Sequence, residues 1–185
     1  MQKITHQQLL DWLKKEVKLS LGCTEPIAIA YAAAVAAKYL NAPILKITGN
    51  ISENLYKNAM GVTIPGTSYC GVTLAAAIGA IGGNADADLE VLKDITATQI
   101  TEAYIFNESG NVCLNAVDAT DFIFIDITLY SLSDQCRVVI QGSHTNVTEV
   151  YINNIKQIIV RALIAANDSG VLPDYFLNDP FKFVT

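Results

Sequence analysis

The chain has 185 residues, 51% of them apolar and 16% charged, with a formal net charge of −6. That length suits one domain with a real core, hiding roughly 70% of its unfolded surface, and so apolar a composition excludes a disordered chain. Between Asp86 and Asp126 nine carboxylates face a single lysine, a solvated acidic surface with no basic face for nucleic acid.

Residues 5–17 carry apolar side chains at helical spacing and predict a first helix. Its mixed polar character gives no export signal, so a cytoplasmic setting is expected. Leu21-Gly-Cys-Thr-Glu-Pro26 follows. Gly22 permits a bend, Thr24 suits a cap and Pro26 suits a first helical turn, which predicts a helix over 25–40 stopped by Asn41-Ala-Pro43. Residues 44–51 alternate as a strand does, and 53–59 predict a short helix. Gly61–Thr67 is a loop punctuated by Gly and Pro, and 70–82 is a helix of small residues. The apolar runs 27–40 and 72–81 fall short of the ~20 residues a membrane span needs. Short helices are expected over 86–93 and 96–108. The period then changes to that of strands, over 112–117, 122–130, 137–141 and 146–152, with Asn153-Asn154 as a tight hairpin turn. A further strand is expected to about 161, a turn at Asp168–Gly170 and a last helix near Leu177. The fold class is therefore α+β, with a mostly antiparallel sheet concentrated in the second half.

The four cysteines, at 23, 70, 113 and 136, match no zinc-finger spacing. Cys70, Cys113 and Cys136 read as small buried hydrophobes. Cys23 precedes a helix N-terminus, where the dipole and free N–H groups favour a thiolate, the form a metal binds. The structural alternative is a cap cysteine with no role. Asn54 and Asn58 share a helix face with Lys57 beside them, and the Gly66-Thr67 turn offers amides to an anion such as a carboxylate. An ordinary surface helix and turn would look the same. His144 and Thr145 lie in a polar loop between strands, where a histidine suits proton transfer, although loop histidines are often idle.

Five segments occur in one order: Gly22–Pro26, Asn54–Asn58, Gly61–Thr67, Gly79–Asn84 with Leu89–Lys93, and Gly142–Asn146. Together they resemble the L-cysteine desulfidases and the iron–sulfur L-serine dehydratases, over about residues 7–152. The resemblance implies a cytoplasmic lyase of amino-acid breakdown that converts L-cysteine to pyruvate, ammonia and sulfide at a [4Fe–4S] cluster, with Cys23 one of three cluster ligands. It also implies that the other two ligands lie in a C-terminal helical domain or a partner chain. Residues 1–185 would then be a single α+β domain, the N-terminal fragment of a longer enzyme, inactive alone and with no complete cluster. A homodimer through the uncovered interface is consistent with that. His144 or Lys57 would act as base, and Asn54, Asn58, Gly66, Thr67 and Thr145 would hold the carboxylate. The alternatives are an L-serine dehydratase, a pyridoxal-phosphate enzyme using Lys57, and a non-catalytic α+β binding or assembly module.

Overall fold

The computed structural model describes residues 5–16 and 20–157. The chain divides into two units, and helix α1 (His6–Glu16) belongs to the one that does not contain residues 18–159. The expected turn at 168–170, the last helix and the strand beyond residue 157 lie outside the described residues.

Residues 18–159 hold helices α2 (Thr24–Leu40), α3 (Glu53–Met60), α4 (Val72–Gly82) and α5 (Ala97–Glu108). They also hold strands β1 (Lys46–Ser52), β2 (Val112–Val117), β3 (Phe124–Tyr130), β4 (Gln135–Gln141), β5 (Val147–Ile152) and β6 (Ile155–Lys156). The expected helix over 86–93 shrinks to one 3-10 turn at Asp88–Glu90. Asn84 and Asp88 divert the backbone there: the Asn84 side chain accepts from the Asp86 amide, and Asp88 takes a left-handed φ of 48°.

The sheet order is β2-β1-β3-β4-β5-β6, parallel between β1 and β2 and antiparallel elsewhere, an α+β fold. Asn153 and Asn154, with φ of 49° and 66°, make the tight turn between β5 and β6. In β3 burial alternates strictly, so Ile125, Ile127 and Leu129 face the helices while Asp126 and Thr128 face away.

Helix α2 packs on β3, β4 and β5, α4 packs on α2 and β2, and α5 covers α4. Residues 26–36 of α2 are all buried. A helix apolar all round is stable only when neighbours cover every side, and small residues let them come close. At Gly79 an added Cβ would lie 2.1 Å from the Ala30 carbonyl oxygen, so α2 and α4 touch backbone to backbone. The two small-residue helices are thus core. Among the described residues no helix is long and apolar enough to cross a membrane.

Candidate functional site

The turn before α2 brings together a thiol, a hydroxyl and a carboxylate. Cys23, in extended backbone, is the N-cap residue, although its side chain makes no cap bond. Thr24 is instead the first helical residue, which corrects its expected capping role. Burying 26–36 pins the start of α2 against the sheet, so Cys23, Thr24 and Glu25 are held half-buried at its rim.

The Cys23 thiol donates to Glu25 Oε2 at 2.9 Å, and the Thr24 hydroxyl donates to the same oxygen at 3.4 Å. Burial, then the Glu25 carboxylate, push the Cys23 thiol above its ordinary pKa. This corrects the thiolate expected from the helix N-terminus: a carboxylate in direct contact and partial desolvation outweigh the dipole here. The thiol hydrogen bond, partly opposed by burial, holds Glu25 below the ordinary carboxylate range, and the charge of His144 adds to the lowering.

His144 stands in the β4–β5 turn, which Gly142 opens with φ of 80°. It is half-buried, and its Nε2 is buried with no hydrogen-bond partner. Burial lowers its pKa, and Glu25 opposes that lowering. Cys23 and His144 are distant in sequence, and packing of α2 on β4 and β5 brings their surroundings together. A thiol, a carboxylate and a predominantly neutral imidazole therefore share one rim.

The other sequence candidates are placed differently. Lys57 is exposed on α3 and pairs with Glu53 one turn earlier, at 3.1 Å. Asn54 and Asn58 are exposed on the same helix. The Thr67 amide donates to the Ile64 carbonyl at 3.0 Å and its hydroxyl does so at 2.9 Å, so both close the loop instead of facing a ligand. Gly66 has φ of 82° and packs beside Ile95. The loop does approach the turn: a Cβ on Gly22 would sit 3.1 Å from Pro65 Cγ. Thr145, half-buried beside His144, accepts from the Val147 amide through its carbonyl. Glu25 is the candidate that sequence reasoning passed over. Its spacing of two from Cys23, in the first turn of a helix, was the available signal.

Among the described residues no group of three His, Cys, Asp or Glu side chains is arranged to hold a metal ion. Cys23 is the one thiol of its turn, and Cys136 is buried in the core as expected, its thiol pushed up to about 12 by burial. Cys70 and Cys113 are exposed, which corrects their expected burial: Cys70 stands in a bridge with Thr63 before α4, and Cys113 lies on the face of β2 opposite buried Leu114. A four-iron cluster of the expected kind takes several thiolates, so the described residues do not fit one by themselves.

Fold and rim define an α+β domain carrying a thiol–carboxylate–imidazole site. The chain is similar to UPF0597 proteins. It is 48% identical to one from Klebsiella pneumoniae over 175 residues, 95% of this chain and 41% of the relative. Relatives from Shewanella sediminis (45% identical) and Photobacterium profundum (44% identical) match 80% and 79% of this chain, and 35% and 34% of their own lengths. The chain thus spans well under half the length of these curated relatives. No family model and no solved structure matches it.

These comparisons correct the family reading. The relatives are named UPF0597 proteins, and none of them bears the name of a cysteine desulfidase or serine dehydratase. The description as an iron–sulfur, metal-binding lyase falls with that reading, since neither these names nor a metal-holding group among the described residues supports it. The physical reason lies in what the motifs are made of. Gly66 and Gly142 serve left-handed turns and Gly79 a helix crossing, requirements of backbone geometry that hold whatever the chemistry.

Proposed function

We propose that this chain contributes the proton-transfer part of an active site for β-elimination from a small amino acid: L-cysteine to pyruvate, ammonia and sulfide, or L-serine to pyruvate and ammonia. The observation that carries the reading is the meeting of Cys23, Glu25 and His144 at one rim. Elimination needs a base for the Cα proton, and an imidazole kept neutral by burial is such a base near neutral pH. The Cα–H bond breaks with its proton passing to His144, the electron pair forms the Cα–Cβ double bond, and the Cβ–S or Cβ–O bond breaks with its electron pair leaving on sulfur as hydrosulfide, or on oxygen as water once His144 returns the proton to it. Water then converts the aminoacrylate to pyruvate and ammonia. Glu25 offers the substrate ammonium a carboxylate that stays ionised at neutral pH. Lys57, engaged with Glu53, is not assigned a role.

On this reading the remainder of the site comes from polypeptide beyond this chain, in line with the greater length of the relatives. The setting is cytoplasmic, consistent with four free cysteines. The test is sulfide and pyruvate release by the full-length protein, prepared anaerobically, with and without iron and sulfide reconstitution. His144→Gln is expected to cut kcat by 10²-fold or more, on the order of a lost general base, while L-cysteine still binds. Absence of pyruvate and sulfide from both preparations, or full activity in His144→Gln, would sink the proposal.

A further inference from the structure

The face of the sheet turned away from the helices carries a second arrangement of polar groups. Adjacent strands place Asn115 beside Asn50 and Asn50 beside Asp126, with Thr48 beside Thr128 and Thr128 beside Arg137. These residues line a groove of about 250 Å³. That is below the ~300–1,000 Å³ of sites for drug-sized ligands.

At its centre Arg137 Nε and Nη2 donate to the two oxygens of Asp126, each at 2.8 Å. The pair is fixed from several sides. The Asp126 side chain is only 18% exposed, the Arg137 guanidinium lies over the Tyr151 ring at 5.5 Å, and its Nη1 is 3.7 Å from Glu149. Glu149 in turn pairs with Lys156 at 3.1 Å. Asp126 and Arg137, the charged residues of the lining, cancel, so the groove is neutral overall and strongly dipolar locally. A lone anion entering it meets Asp126, and a lone cation meets Arg137. A ligand that is itself neutral with separated charges finds a partner for each end. The Asn50 and Asn115 amides, exposed beside the carboxylate, add donors and acceptors at one end.

We propose that this groove is a binding site for a small zwitterion, an α-amino acid, whose ammonium lies against Asp126 and the Asn50 and Asn115 amide oxygens and whose carboxylate lies against Arg137 and the Thr128 hydroxyl. Its location on the outer sheet face separates it from the Cys23–Glu25–His144 rim, and it stands whether or not that rim performs an elimination.

The test is an amide and arginine-side-chain NMR titration of the 185-residue chain with glycine and L-serine. Acetate, methylammonium and glycerol serve as separate probes. The expected result is saturable shifts at Asn50, Asn115, Thr128 and the Arg137 side chain with the amino acids, and at most weak, non-saturating shifts with the other three. Asn50→Ser with Asn115→Ser, both surface changes, should weaken the affinity about tenfold or more, the scale of hydrogen bonds to a charged group, with the rest of the spectrum unchanged. Arg137→Lys, which keeps the charge and loses the fork, should weaken it as well. No saturable shift at these residues, equal response to glycerol or acetate, or unaltered binding in both variants overturns the proposal.

Discussion

Gly79→Ala tests the packing that holds the rim in place. The new Cβ would lie 2.1 Å from the Ala30 carbonyl oxygen, 2.5 Å from its Cα and 2.6 Å from its carbonyl carbon. All three are backbone atoms, so no side chain can swing aside. Restoring ordinary contact, from 2.1 Å to about 3.4 Å, parts α2 and α4 by about 1.3 Å. Both helices are buried along this seam, so parting them opens space along its whole length. Overpacking of this kind costs ~1–3 kcal/mol, and the upper end applies because the obstacle is backbone. Alanine returns ~1 kcal/mol of helix propensity. The net loss is about 2 kcal/mol, which for ~150–250 residues lowers Tm by about 4–8 °C. Urea and thermal unfolding of the 185-residue chain measure it. Gly61→Ala is the control, because a Cβ there meets nothing within 4 Å and its φ is −99°. A Gly79→Ala midpoint at or above wild type would refute the close approach of α2 and α4.

Alkylation of Cys23, followed peptide by peptide, should be slower at neutral pH than that of exposed Cys70 and Cys113, since burial and Glu25 raise its pKa. Glu25→Gln should speed it several-fold, and an unchanged rate would mean the thiol–carboxylate bond does not form in solution. His144 has a folded pKa below its ordinary 6.5, so the unfolded chain binds more protons. Stability from keeping it neutral is present above 6.5 and lost as pH falls through that value. His144→Gln should flatten the stability profile in that window, and identical profiles would contradict the burial. Thr96 and Gln99 form a reciprocal capping box at the start of α5, so Thr96→Ala should cost about 1 kcal/mol in urea unfolding.

Much of the fold was legible because its signals are local. Asn41 ends α2 in a left-handed conformation, Thr96 and Gln99 start α5, and the asparagine pair turns β5 into β6. Each acts through its own few neighbours. The strand period over 122–130 located β3 without any knowledge of the partner strands. The helix expected over 86–93 failed because an asparagine side chain four residues ahead of a left-handed aspartate redirected the backbone.

The candidate site was legible only in part. The Gly22–Pro26 turn announced a helix start and a placed cysteine, and its sequence alone determined that a thiol would stand there. Only the tertiary structure decided its state. Burial of α2 desolvated the thiol, Glu25 turned back onto it, and the β4–β5 turn brought His144 to the same rim. The same folding left Lys57 on the outside of α3 with Glu53 and consumed Thr67 inside its own loop. The parallel β1–β2 pair and the outer groove with Asp126 and Arg137 were decided there too. Caps, turns and periodicity are written within a few residues. The charge state of a thiol and the partner of a lysine depend on which distant segments bury them, and packing alone fixes that.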